Sequence, residues 1–311
     1  YSKITGLPPI GPDERLVRDF FLHFFRQDAD FDQYLPLVKD TYLKQAFAEA
    51  KLVNGVGDAE RWYSMLSTSQ VKALQERIGE LQAAGVAWCI NTGRDLTGLM
   101  EGLARARLSV RPDYLVTVER EIYIHEDHEY VPHREWNDRC SAEQEELFER
   151  VRPSLPKLVA QINKRFDADI YKDAYSPFCL IARDNDECDA IQAQTEEFLT
   201  DWDDLDFVRN DIYARLSHTA YNKGSALEEV ARIAGIDHNQ TLAAGDHLND
   251  LPMLDPSRAR WLVTQHNAIH QVKTHVQNHG GFVSEHPCGR GLLEGIEWAL
   301  TQAVADSFFT R

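Results

Sequence analysis

Apolar positions fall into three regimes along the chain. From Tyr1 to about Ser64 they recur at helical spacing: Leu16, Val17, Phe20, Phe21, Phe24 and Phe25 form one stripe, and Tyr42, Leu43, Phe47 and Ala50 form a second after Pro36. The spacing predicts helices that could cover a core, pair with another subunit or close over a site. From about Leu66 short apolar runs alternate with helical patterns. Helix Thr68 to Ala84 turns Val71, Leu74, Ile78 and Leu81 inward and stops at Gly85; strand Val86 to Ile90, helix Leu96 to Leu108 and strand Tyr114 to Val118 follow. The alternation resumes near Lys223 with helix Gly224 to Ala234, strands Thr241 to Ala244 and Trp261 to Thr264, and helices Ala268 to Gln277 and Leu292 to Val304. Such alternation predicts an α/β class with a parallel sheet covered by helices on both faces.

Between the two halves lies a stretch with its own elements. It reads as a charged helix Ala142 to Arg165, strands Asp169 to Tyr171 and Phe178 to Ala182, helix Glu187 to Leu199, and short strands Phe207 to Arg209 and Ile212 to Leu216. The expected organisation is an N-terminal helical extension (1–65), a core domain in two pieces (66–120 and 218–311) and an inserted α/β domain (121–217).

Candidate chemistry sits where predicted strands meet helices. After the apolar run Thr241 to Ala244, a small-residue turn presents Asp246 and Asp250 in Gly-Asp-His-Leu-Asn-Asp. Two carboxylates four residues apart suit Mg²⁺, a hard cation that binds one or two carboxylates together with waters and a substrate phosphate. The plainer reading is an Asx-rich turn with Asp250 as helix cap. Upstream, Thr92-Gly93-Arg94 ends a strand before a helix, where a hydroxyl and backbone N–H groups can bond phosphoryl oxygens. Lys223 precedes another helix and could neutralise phosphate charge; taken alone, it and Arg94 read as surface charges. In open parallel sheets ligands lie beyond the carboxyl ends of the strands, where Thr92 and Asp246 both fall.

In this order the three segments resemble haloacid dehalogenase-like (HAD) phosphohydrolases, in particular the branch of Cof-type and sucrose-phosphatase-like sugar phosphatases, over about residues 66 to 300. The resemblance implies a HAD-like Rossmannoid sheet with an inserted cap. It implies that Thr92 holds the phosphoryl group beside Gly93 and Arg94, that Lys223 stabilises the charged intermediate, that Asn249 lies by the reaction centre, and that Asp246 and Asp250 hold Mg²⁺. Asn267-Ala268-Ile269, Val272-Lys273 and Gly280-Gly281 follow the family rhythm. The cap implied by the resemblance supplies leaving-group specificity, and Arg209, Asn210, Tyr213, Arg215 and His218 are substrate-side candidates; His247 reads as a loop histidine facing water.

One departure matters. The family attacks phosphorus with an aspartate in an Asp-x-Asp-x-Thr motif before the first helix of the core, and no such motif is identifiable. The nearest stretch, Lys51 to Ala59, places glycines at the two aspartate positions, with Asp58 one residue late, and Asp28-Ala29-Asp30-Phe31-Asp32 follows a helical pattern. Without that carboxylate covalent transfer has no nucleophile. A Mg²⁺-dependent phosphomonoesterase acting on a sugar phosphate is therefore expected beside an alternative, an inactive HAD-like binding or assembly module.

Composition narrows the partners. The chain has 311 residues, 43% hydrophobic and 27% charged, with net charge −17, enough for a sizeable core. Such acidity disfavours nucleic acid and anionic membranes, and no apolar run approaches a membrane span. Cys89, Cys140, Cys179, Cys188 and Cys288 show no metal or disulfide spacing and read as reduced thiols. The expected setting is cytoplasmic, with a phosphorylated small molecule as substrate and homo-oligomer formation through the N-terminal helices as one option.

Overall fold

The computed structural model describes residues 68–106 and 108–309. The N-terminal helices expected over 1–65, and both stretches considered for the nucleophile motif, lie outside the described residues.

The described chain runs α1 (Thr68–Ala83), β1 (Cys89–Asn91), α2 (Leu96–Ala106), β2 (Tyr114–Thr117), β3 (Glu121–Glu126), β4 (Glu129–Pro132), α3 (Arg134–Val151), α4 (Leu155–Asn163), β5 (Asp169–Tyr171), β6 (Cys179–Ile181), α5 (Asn185–Leu199), β7 (Leu205–Asn210) and β8 (Tyr213–His218). It continues through α6 (Lys223–Ala234), β9 (Leu242–Ala244), β10 (Trp261–Thr264), α7 (His270–Asn278), β11 (Phe282–Val283) and α8 (Cys288–Phe309). Three sheets result. In the first, β1 lies parallel to β2 and the β2–β3–β4 meander is antiparallel; in the second, β9, β10 and β11 are parallel. The third is antiparallel in the order β5-β6-β8-β7. Strands β1 and β9 are outer strands of their sheets among the described residues.

Two differences from the sequence reading have local causes. The helix expected from Ala142 to Arg165 begins at Arg134 and breaks into α3 and α4 around a 3-10 turn at Arg152–Ser154. Pro153 and Pro156 have no N–H to give the carbonyls of Glu149 and Arg152, so one α-helical ladder cannot run through. The boundary expected at residue 121 falls inside a sheet. There β2 turns back through Val118–Arg120 into β3, which pairs with β2 from Tyr114↔Ile124 to Thr117↔Glu121. The next turn, at Asp127 and His128, has both φ angles positive (44° and 74°), as a tight two-residue hairpin requires.

Burial divides the described structure into clusters. Leu147, Phe148, Val151, Leu158, Ile162, Phe178, Leu180, Ile191, Phe207 and Leu216 form the core between the antiparallel sheet and α3, α4 and α5. Val116, Ile122, Trp136, Cys140, Tyr221, Ala226 and Val230 form another on the first sheet, so α3 contributes to both. A third joins Ala243, Leu254, Leu262, Val272 and Val276 under the β9–β10 sheet. Helix α8 lies on β10 closely enough that a Cβ on Gly295 would stand 2.1 Å from Val263 Cγ1. Among the described residues no helix is long and apolar enough to cross a membrane.

Candidate functional site

Thr92 follows β1, and its turn is stitched to the tip of the β2–β3 hairpin. Val118 N–H donates to Arg94 O at 2.8 Å and Glu119 N–H donates to Thr92 O at 2.9 Å. Thr92 Oγ1 accepts from Arg94 N–H at 3.3 Å, at the start of α2. The Arg94 side chain runs elsewhere: a Cβ on Gly102 of α2 would lie 3.4 Å from its Nη1, which lays the guanidinium along its own helix.

Lys223 opens α6. Asn222 caps that helix, its side chain accepting from the N–H groups of Gly224 and Ser225. The capped turn buries the lysine side chain, 8% exposed, and its ammonium donates to Asp250 Oδ1 at 2.6 Å. The Lys223 carbonyl accepts from Asn91 Nδ2 at 2.9 Å, which fastens α6 to the end of β1.

Asp246 and Asp250 leave β9 in different roles. Asp250 Oδ2 accepts from the N–H groups of Asp246 (2.8 Å) and His247 (2.9 Å), closing the turn, while Oδ1 holds the lysine. Asp246 Oδ2 accepts from Asn267 Nδ2 at 2.9 Å. The two carboxylates expected to hold Mg²⁺ together therefore have different partners here. Asp250 is committed to an ammonium and two backbone donors, and among the described residues no three acidic, histidine or cysteine side chains are grouped to hold a metal. Mg²⁺ commonly sits on one or two carboxylates with waters and a substrate phosphate, and the turn after β9 brings two carboxylates together.

A residue absent from the sequence reading stands at the centre. Glu119 is buried, 7% exposed at its side chain; Oε1 accepts from Asn249 Nδ2 at 2.7 Å and Oε2 from Arg215 Nη2 at 3.0 Å. A Cβ on Gly93 would lie 3.3 Å from Oε1, so the bare glycine admits the carboxylate to the Thr92 turn. Val118 and Glu119 both carry positive φ, 44° and 70°. For a β-branched residue and its neighbour this costs about 1–3 kcal/mol each. The cost is met by the two backbone bonds to the Thr92 turn and by two arginines on the Val118 carbonyl, Arg215 Nη2 at 2.8 Å and Arg120 Nη1 at 3.2 Å. Burial and the neighbouring Arg215 pull the Arg120 pKa down to about 10. The legible signal was two apolar strands, Tyr114 to Thr117 and Glu121 to Ile124, three residues apart.

Arg215 reaches this cluster from the antiparallel sheet, where register puts Tyr171, Cys179, Arg215 and Val208 in one row, with Tyr213 and Asn210 on the same face. Tyr171 and Tyr213 are exposed, while the opposite face carries buried Leu180, Ala214 and Leu216. Arg209 points the other way and is buried against Asp189 and Asn185 of the α5 region. His218 Nδ1 accepts from Ala220 N–H at 3.1 Å within its own turn. His247, expected to face water, is instead covered: its Nε2 accepts from Asp211 N–H, at the β7–β8 turn, at 2.9 Å, and burial pulls its pKa below the usual histidine value. The amide oxygens of Asn91 and Asn249 are buried without a hydrogen-bond partner. Thr92, Gly93, Lys223, Asn249, Asp250 and Arg215 thus join one network through Asn91 and Glu119, whereas Arg94, Arg209 and His218 point away.

Comparison with known proteins adds the following. Residues 63–299 match the family model described as sucrose-6F-phosphate phosphohydrolase, and residues 1–78 match one described as the actin-binding protein F N-terminal domain. No curated protein matches significantly. The sucrose-phosphatase of Synechocystis sp., solved with sucrose and phosphate, superposes with TM-score 0.58 at 20% identity, covering 74% of this chain and 91% of that one. A haloacid dehalogenase-like hydrolase from Bacteroides thetaiotaomicron gives 0.49 at 15% identity, covering 79% of this chain and 94% of that one.

Proposed function

Because the chain belongs to the sucrose-6F-phosphate phosphohydrolase family of HAD-like hydrolases, we propose that it hydrolyses the phosphoric monoester of a small sugar phosphate where β1, α6 and β9 end. The observation that carries this reading is the hydrogen-bonded chain Asn91–Lys223–Asp250, which draws segments more than a hundred residues apart to one place. In the overall reaction the P–O bond to the sugar oxygen breaks, that oxygen takes a proton, and a P–O bond to the oxygen of water forms.

The Thr92 hydroxyl and the N–H groups at the start of α2 hold phosphoryl oxygens, as helix N-termini do for anions. Lys223 places a fixed positive charge beside them, pre-oriented by Asp250 so that it need not reorganise as charge develops. Asp246, at the end of β9 in the turn that Asp250 closes, handles a proton or orients water. The buried acceptors of Asn91 and Asn249 suit a ligand hydroxyl or an ordered water. The nucleophile is not assigned among the described residues. Asp246, with Asp250 beside it, would hold Mg²⁺, which when bound would supply Lewis-acid polarisation of a phosphoryl oxygen.

The organisation we favour keeps a core of residues 66–120 and 218–311 and an inserted cap within 121–217, with β3 and β4 joined to the core sheet. The open face of the antiparallel sheet, bearing Arg215, Asn210, Tyr171 and Tyr213, is the leaving-group side. Tyrosine rings and amides suit the hydroxyls and apolar faces of a sugar. Residues 1–65 are an appended module, and self-association through it is tested by light scattering of the full chain.

A second reading, binding without turnover, is favoured by one observation: Lys223 and Asp250 neutralise one another, and Glu119 stands on donors a phosphate would use. Assay of an aryl phosphate, with and without Mg²⁺, separates the two. Turnover abolished by Asp246→Ala supports hydrolysis; no turnover with retained sugar-phosphate binding supports the second reading.

A further inference from the structure

Glu119 carries more than a fold requires. A hairpin turn with two successive positive φ angles ordinarily uses Asn or Gly, yet Val118 and Glu119 occupy it here, and both are buried. Its two carboxylate oxygens take one donor each, Asn249 from the β9 side and Arg215 from the antiparallel sheet, and the carboxylate rests against Gly93. An amide N–H, a guanidinium and a bare glycine turn are the groups with which proteins hold a phosphate dianion. The same three are gathered by a side chain of this chain.

The geometry points to Glu119 as a resident anion that sets the affinity and selectivity of the site: a phosphoryl group enters only by taking Arg215 and Asn249 away from the Glu119 carboxylate. The inference rests on the phosphate reading of the previous subsection. Two anions cannot share these donors, because like charges at this separation in a buried place repel strongly. Arg215 lies on the face assigned to the leaving group, so a ligand bringing hydroxyls to that face together with its phosphate regains contacts that bare phosphate does not. The site thereby favours phosphate carried by a sugar over inorganic phosphate.

The test is the dissociation constant for inorganic phosphate of the full chain and of Glu119→Gln and Glu119→Gly, by titration calorimetry. Glutamine keeps the shape and removes the charge, and glycine suits the positive φ. Folding of each is checked by thermal melting. The expected result is phosphate bound about tenfold tighter or more by both variants. In the unsubstituted chain, amide hydrogen exchange over residues 115–122 should speed up when phosphate is added, as the hairpin tip loses its two side-chain partners.

Binding by the unsubstituted chain that is unchanged or weakened in folded variants overturns the role of Glu119 and leaves the phosphate reading standing. Exchange that slows or stays constant in phosphate does the same, even if neither variant folds. Absence of phosphate binding in all three proteins overturns both.

Discussion

Lys223 and Asp250 are each less than a tenth exposed at the side chain, so removing either charge strands the other in a place water does not reach. Breaking such a pair costs about 3–5 kcal/mol, whereas replacing both partners by apolar groups costs far less. Lys223→Met and Asp250→Asn are each expected to lower the unfolding free energy, read from urea denaturation, by that amount. Lys223→Met/Asp250→Asn, in which the amide oxygen still serves the N–H groups of Asp246 and His247, should lose less than the sum of the two. A loss in the double variant equal to that sum would contradict the pairing. The thiols give a second residue-scale prediction. Burial pushes Cys89, Cys140 and Cys179 up to about 12 and Cys188 up to about 11. Only the thiolate reacts, so at pH 8 these four should alkylate slowly in the native protein and rapidly in urea, as peptide mass mapping would read. Identity at strand ends was legible in the sequence: Thr92, Lys223 and Asp246 were found because motif residues punctuate a change of period. Direction was not legible. Nothing in the spacing of Arg94 or Arg209 says which way a long side chain lies, and the two roles open to Asp250, metal ligand and turn cap, have the same sequence.

At the scale of elements, the contact of α8 with β10 depends on Gly295. Alanine there gains about 1 kcal/mol in intrinsic helix propensity, but its Cβ would meet the branched Val263 side chain at 2.1 Å. A β-branched neighbour has few rotamers with which to yield, and overpacking of this kind costs about 1–3 kcal/mol. Gly295→Ala is therefore expected to lower the melting temperature, and partial recovery in Gly295→Ala/Val263→Ala would locate the clash. Helices with one apolar stripe were readable to within a few residues, α1 and α6 among them, because tertiary context reinforces their period. Strands β3 and β4 were not read. Glu121-Ile-Tyr-Ile-His-Glu alternates only weakly, and its pairing to β2 is a decision made by the Val118–Arg120 turn. The break between α3 and α4 needed attention to Pro153 and Pro156, which a count of apolar positions overlooks.

For the molecule as a whole, a net charge of −17 makes the acid side of its stability informative. Glu229, hydrogen-bonded by Arg232 and His133, has its pKa held below the usual carboxylate value, as do Asp204 through Arg150 and Glu294 through Ser284 and His286. A depressed folded-state pKa means stability that is complete above the unfolded value of about 4.3 for glutamate and is lost as pH falls through the folded value. Melting temperature should therefore fall below about pH 4, and Glu229→Gln should start lower at neutral pH and fall less steeply. A parallel acid limb would show that Glu229 does not contribute.

The eighteen residues of α3 have a mechanical consequence. Trp136 and Cys140 root its first turns beneath the β2–β3 hairpin, and Leu147, Phe148 and Val151 root its last turns beneath the antiparallel sheet. A stiff rod anchored at both ends acts as a lever arm, not a tether. Because Leu147, Phe148 and Val151 share one core with α4 and the antiparallel sheet, the tyrosine-bearing face is carried by α3 as one piece. Any swing of it away from Glu119 would have to hinge at the His133 end of that rod and in the Thr219–Tyr221 turn before α6.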